Sequence, residues 1–243
     1  MLNKTALITG AAKRIGAAIT EQLHSSGMNV IIHYNSSAKE AHELVKKLNG
    51  IRRDSAIMIQ ADLEHKKYYS ALIDAALDFK GGLDVLINNA SAYYATPLAS
   101  LDSQQWNELM NTNLKAPLFL SQLAAESLRL NKGCIINITD IHANRPLRSH
   151  SIYSITKAGL IMLTQSLAKE MAPSIRVNAI SPGIILWPDD MDEEKKNKIL
   201  DETMMKRTGN LEDITKAVLF LIQDADYITG QVLNIDGGRT LYS

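Results

Sequence analysis

The sequence contains a single cysteine, Cys134, among 243 residues. One thiol closes no intrachain disulfide, which suits a reducing compartment. Its setting, Cys-Ile-Ile-Asn-Ile, is that of a buried structural thiol rather than a nucleophile. Net charge is also lacking, because 26 Lys and Arg balance 26 Asp and Glu. That excludes a general attraction to nucleic acid or to an anionic membrane and leaves room for a local basic site holding one phosphate. No apolar stretch approaches the length of a transmembrane helix. The N-terminal run Met1-Leu2-Asn3-Lys4 is too short and too polar for a signal peptide. A soluble cytoplasmic protein, free of nucleic acid, membrane and metal, is expected. The 46% of hydrophobic residues suffices for the core of one large α/β domain.

Short apolar runs alternate with longer helical stretches. Strands are expected at Thr5–Thr9, Asn29–His33, Ala56–Gln60, from Val85 to Ile87, and at Cys134–Ile138, Arg176–Ile180 and Val232–Ile235. The first is followed by a helix to about Ser26, with Gly27 placed to end it. Ser37 is positioned to cap a helix over Ala38–Asn49, in which Ala41, Leu44, Val45 and Leu48 share one face. Further helices are expected over Tyr68–Phe79, over Ser103–Leu130 with a kink at Pro117, and over Ser151–Met171. Near-continuous apolar strands are those of a parallel sheet covered on both faces. Alternating β and α units then define a single-domain, Rossmann-type, doubly wound sheet of seven strands over residues 1–243. The irregular Pro182–Asp192 run opens a substrate-loop region over about residues 182–210.

The first strand leads into Thr9-Gly10-Ala11-Ala12-Lys13-Arg14-Ile15-Gly16. The usual third glycine of a dinucleotide fingerprint is absent. Gly10 still permits a tight turn, Gly16 close helix packing, and the helix N-terminus offers N–H groups to a pyrophosphate. An acidic residue at the end of strand two, which would bind ribose hydroxyls, is absent too. The residues there are His33-Tyr34-Asn35-Ser36-Ser37, with Lys13 and Arg14 in the neighbouring turn. Cations and hydroxyl donors suit an adenosine 2′-phosphate, so NADPH is expected over NADH. Asp62, followed by Leu63, is placed either to accept from the adenine amino group or to serve as a plain loop aspartate.

Tyr153 and Lys157 stand four apart at the start of a helix, hence on one face. An adjacent ammonium and the positive helix end are expected to lower the phenol pKa from about 10 toward the working range. Around this pair lie Asn88-Asn89-Ala90 after strand four and Asn113 in the next helix.

Together with Pro182-Gly183, Tyr227-Ile228-Thr229-Gly230 and Asp236-Gly237-Gly238, these motifs make the chain resemble the short-chain dehydrogenases/reductases over nearly its whole length. The resemblance implies that Tyr153 is the acid/base, that Lys157 holds the nicotinamide ribose and tunes Tyr153, and that Asn113 supports a proton-relay water. It also implies a homotetramer. Three positions depart from the usual pattern. Arg14 replaces the middle glycine, Ser91 a glycine, and Asp140 the serine that ends strand five.

All three departures are similar to those of pteridine and dihydromonapterin reductases. That resemblance implies reduction of a dihydropterin, with dihydrobiopterin, dihydromonapterin and dihydrofolate all open. Gly10, Lys13, Arg14, Ile15, His33, Tyr34, Asn35, Ser36, Asp62, Leu63, Asn89, Ala90, Ser91, Tyr153, Lys157, Pro182 and Gly183 would then contact NADPH. Arg14 and Ser91 would also touch the pterin, Tyr93 or Tyr94 would stack on it, and Asp140 would bond Tyr153 and serve the substrate's proton path. The loop Leu186-Trp187-Pro188-Asp189-Asp190-Met191 would close the pocket, with Leu186 and Trp187 as walls. Two other functions compete: a reductase of ketones such as 3-oxoacyl thioesters, and an NADPH-binding regulator without turnover.

Overall fold

The computed structural model describes residues 1–188 and 191–242. Its strands are β1 (Thr5–Ile8), β2 (Asn29–Tyr34), β3 (Ala56–Gln60), β4 (Val85–Asn88), β5 (Cys134–Ile138), β6 (Arg176–Pro182) and β7 (Val232–Ile235). Its helices are α1 (Arg14–Ser25), α2 (Ala38–Ile51), α3 (Tyr69–Lys80), α4 (Ser103–Met110), α5 (Ala116–Leu130), α6 (Ser151–Met171), α7 (Glu193–Asp201) and α8 (Leu211–Gln223). The strands form one sheet in the order β3-β2-β1-β4-β5-β6-β7, and every pairing is parallel.

Successive strand residues feed opposite layers, as the two-residue period of a strand demands. Ala6, Ile8, Val30, Ile32 and Ile136 pack under α1, α2 and α8, beside Leu23, Leu44 and Val218. Leu7, Ile31 and Ile135 face the other way, against Leu72 of α3, Leu120 of α5 and Leu167 of α6. The expectation of buried strands holds for β1, β2, β4 and β5, whose residues are all buried. It fails at the edges, where β3 and β7 each expose alternate or central residues because one flank has no neighbour.

Several local expectations are corrected. The helical stretch from Ser103 to Leu130 is broken by a π-helical turn at Asn111–Lys115, before Pro117. Pro117 follows directly in the first turn of α5, where it offers no N–H to the turn before it. Ser37 precedes α2 as expected but its side chain makes no capping bond. Gly27 does end α1, with φ of 92° and its N–H donating to His24 O at 3.0 Å. Two helices were missed. α8 begins with a capping box in which Asn210 and Asp213 satisfy each other's backbone N–H, and it buries Ile214, Val218 and Leu221 at helical spacing. α7 buries none of its residues, so it carries no apolar stripe to read. Among the described residues, no helix is long and apolar enough to cross a membrane.

The strand order reverses between β1 and β4, whose parallel registers end together near Ile8 and Ile87. A crevice outside the carboxyl ends of the strands at this switch point is where open α/β sheets bind ligands.

Candidate active site

A cleft of about 860 Å³ opens there, bounded by the β1–α1 turn, the ends of β2 to β6, the start of α6 and the segment before α7. Gly10 forms the first part of its floor at φ of 61°, in the left-handed region. A Cβ on Gly10 would lie 2.9 Å from Ala90 Cα, and one on Gly16 only 2.3 Å from Gly10 O. Both positions therefore need glycine, and Gly16 lies in the first turn of α1, whose N–H groups are free to cradle a phosphate. Lys13, Arg14 and Ile15 line this cradle. Arg14 has φ of 53°, which explains why a glycine is usual at its position. Lys13 pairs with Glu40 at 2.7 Å on the surface.

The turn is braced from below. Gly10 N donates to His33 Nδ1 at 3.0 Å, so His33 carries its proton on Nε2, which donates to Ala61 O at 3.0 Å. Burial pushes the His33 pKa down to about 4, and the bond to Ala61 and the nearby Asp62 offset this only in part. His33 lines the cleft as a neutral strut, not as a phosphate-binding cation. Asn89 has a similar role. Its amide donates to Thr9 O at 2.8 Å and Gly10 O at 3.0 Å, while the backbone N–H groups of Asn89 and Ala90 donate to Thr9 Oγ1. Tyr34, Asn35, Ser36, Asp62 and Leu63 continue the wall beyond the turn. Asp62 Oδ1 accepts from Glu64 N at 3.0 Å, which fixes the carboxyl group in an Asx turn.

At the other end, β5 delivers Asp140 opposite the first turn of α6. Asp140 uses its two oxygens differently. Oδ1 accepts from His142 N at 2.8 Å, and Oδ2 accepts from the Tyr153 hydroxyl at 2.8 Å. One carboxyl group therefore both closes an Asx turn and accepts from the phenol. Lys157, buried below, donates to Ile138 O at 3.0 Å and lies 5.6 Å from the Tyr153 ring.

This arrangement corrects the expected direction of the Tyr153 shift. Tyr153 is 5% exposed. Burial, then the charge and hydrogen bond of Asp140, hold its hydroxyl above the ordinary phenol range. Burial also lowers Lys157 to about 8, with Asp140 pulling the other way. The carboxylate bonded to the phenol outweighs the more distant ammonium, so Tyr153 keeps its proton and is set up as a donor.

Asn113 is buried in the π-helical turn and does not line the cleft. Its Oδ1 accepts from Ala92 N at 2.8 Å, and its Nδ2 donates to Ala92 O at 2.9 Å and Thr156 Oγ1 at 3.2 Å. It braces the Ser91–Tyr93 segment against α6. Ser91 and Tyr93 line the cleft, and the Tyr93 ring meets the Tyr153 ring edge-on, with centroids 4.9 Å apart. Tyr94 is excluded from this wall, since its hydroxyl donates to Glu108 at 3.0 Å and the residue does not line the cleft.

Pro182, Gly183 and Leu186 line the remaining wall. Trp187 does not. Leu186 and Pro188 on either side of it do line the cleft. Asp189 and Asp190 of that expected lid lie outside the described residues. The sequence reading missed Arg239, which lines the cleft and ties down the end of α7. Its guanidinium pairs with Glu202 at 3.0 Å and donates to Ile199 O at 2.9 Å, while Arg145 donates to Arg239 O at 3.0 Å. Its only signal was position, directly after Asp236-Gly237-Gly238.

A glycine-floored phosphate cradle joined to a buried Tyr–Lys–carboxylate group defines a nicotinamide-dependent oxidoreductase site. Residues 10–240 match the family profile described as Enoyl-(Acyl carrier protein) reductase. The chain is 35% identical to Pteridine reductase 1 of Leishmania tarentolae, over 97% of this chain and 96% of that protein. It is 34% identical to Glucose 1-dehydrogenase 2 of Bacillus subtilis (strain 168), over 100% and 96%. It is 36% identical to the 3-oxoacyl-(acyl-carrier-protein) reductase FabG of Staphylococcus aureus (strain Mu50), over 98% of each. The chain belongs to the short-chain dehydrogenase/reductase family of oxidoreductases, whose members bind NAD(H) or NADP(H).

Proposed function

We propose that this protein reduces a dihydropterin to its tetrahydro form with NADPH. The observation that carries this reading is the Asp140–Tyr153 hydrogen bond of 2.8 Å beside the Tyr93 ring. A catalytic serine would polarise a ketone, whereas a carboxylate only accepts hydrogen bonds and so matches a ring that presents N–H groups. Tyr93 supplies a flat aromatic surface next to the proton donor. The similarity to a pteridine reductase supports the same substrate class.

The cradle of Gly10, Gly16 and the α1 N-terminus fits a dinucleotide pyrophosphate, and Arg14 with Lys13 fits the added phosphate of NADPH. When bound, the reduced nicotinamide supplies a hydride to the C=N carbon. Tyr153 gives its hydroxyl proton to the ring nitrogen. Asp140 orients that proton and holds the substrate's N–H groups, and Lys157 stabilises the tyrosinate that forms. With this reading go a cytoplasmic setting and a homotetramer.

The similarity to 3-oxoacyl-(acyl-carrier-protein) reductase favours a second reading, a thioester ketone as substrate. NADPH oxidation by the purified protein, with dihydromonapterin, dihydrobiopterin, dihydrofolate and an acetoacetyl thioester in parallel, separates the two. Turnover with a pterin and none with the thioester is expected. Turnover with the thioester alone would overturn the pterin reading and leave the Tyr153–Lys157 chemistry standing.

A further inference from the structure

His150 has no part in the chemistry above, yet its ring lies parallel to Tyr93, with centroids 4.9 Å apart and planes 18° from each other. Tyr93 lines the cleft and His150 does not. The imidazole therefore backs the phenol from outside the cavity.

The backing ring is itself held firmly. Thr96 and His150 form a β-bridge, with Thr96 N donating to Ser149 O at 2.6 Å. Ser149 takes a left-handed φ of 61°, which turns the chain into this contact. The imidazole Nδ1 lies 2.9 Å from Arg148 O, so it donates there and fixes the ring plane. His150 also stands at the N-terminus of α6, where its carbonyl accepts from Ser154 N at 3.0 Å. The segment that backs Tyr93 is thus continuous with the helix turn that carries Tyr153.

Tyr93 needs such support. It is 53% exposed and sits on a loop, where an unsupported ring would sample several rotamers. We propose that His150 is a positioning residue that fixes the plane of Tyr93 relative to Tyr153, so that Tyr93 presents a preset wall to a planar heteroaromatic substrate. This inference rests on the pterin reading for its substrate class. A wall ordered before binding lowers the entropy lost when a flat ring docks, so its effect falls on KM more than on kcat.

The test compares wild type, His150→Ala and His150→Phe. With a dihydropterin, His150→Ala is expected to raise KM about 3- to 10-fold, with kcat within about 2-fold, from the usual strength of a stacked ring pair. His150→Phe is expected to restore KM, because the contact needs a flat ring and no charge. A second readout needs no substrate. Burial holds the Tyr93 hydroxyl above the ordinary phenol range, with Asp140 adding to the effect. Removing the His150 ring is expected to lower the Tyr93 ionisation in an ultraviolet pH titration, with Tyr93→Phe identifying the step.

An unchanged titration in His150→Ala would overturn the proposal, as would a shifted titration with unchanged pterin KM, or a loss that His150→Phe does not restore. If wild type turns over no pterin, the substrate reading fails and takes the substrate wall with it. The titration then still decides whether His150 fixes Tyr93.

Discussion

Tyr153 and Asp140 form one proton-holding unit, with the phenol donating to Oδ2 at 2.8 Å while Oδ1 is tied to the backbone of His142. Because the carboxylate is anchored at one oxygen, its other oxygen aims the phenol. Tyr153→Phe should cut turnover by at least about 100-fold, the usual scale of lost general acid catalysis. NADPH affinity in a fluorescence titration should change little. Asp140→Ser should depress pterin reduction selectively, and an unaffected pterin rate would remove Asp140 from the mechanism.

Lys157 sets the alkaline limit. Burial lowers its pKa to about 8, with Asp140 pulling the other way. Charge on Lys157 is present below that value and is lost as pH rises through it, and with it the stabilisation of a tyrosinate. A plot of kcat/KM against pH should therefore fall above about pH 8, since this ratio reports the free enzyme. A profile flat to pH 10 would contradict the role given to Lys157.

Arg14 trades backbone comfort for a cation in the cleft. Its φ of 53° costs a non-glycine residue about 1–2 kcal/mol. Arg14→Gly should leave the melting temperature unchanged or raise it by a few degrees, since relief of strain is opposed by a more flexible unfolded chain. The same change should raise the Kd for NADPH about 10-fold or more. A clear drop in melting temperature would show that the guanidinium is structural.

His33 makes the cofactor turn sensitive to acid. Its folded pKa of about 4 lies below the unfolded 6.5. Its contribution to stability is complete above pH 6.5 and is lost as pH falls through that value toward 4, because the unfolded chain then binds the proton more readily. The full loss is about 3 kcal/mol. Urea unfolding at pH 7 and pH 4.5 should show a larger decline for wild type than for His33→Asn. Equal declines would place the acid sensitivity elsewhere, for instance at His24, whose pKa burial also lowers.

Much of this was legible beforehand because the signals were local. Apolar runs marked the strands, and the limits of β3, β5, β7 and α6 agree with the expectation from the sequence. Gly10, Gly16, Tyr153 and Lys157 were readable from spacing on a turn or on one helix face. What escaped depended on contacts across the chain. The partner of His33 is Gly10, 23 residues away, and no local pattern shows that its imidazole is neutral. The direction of the Tyr153 shift turned on burial and on the reach of Asp140, 13 residues back. Arg239 reaches Ile199 across 40 residues, and the π-helical turn that buries Asn113 has no periodic signature.

All seven strands run the same way, so each ends on the side where its following loop meets the ligands. Most of the cleft lining therefore comes from the loops at this one edge, while Tyr153 and Lys157 reach it from the first turns of α6. The three relatives carry names for a pteridine, a sugar and a thioester substrate, yet their identities to this chain span only 34% to 36%. Overall identity therefore does not separate these substrate classes. A carboxyl group at the tip of β5, bonded to the Tyr153 hydroxyl at 2.8 Å, is thus the one place where the pterin and thioester readings can be told apart by a single side chain.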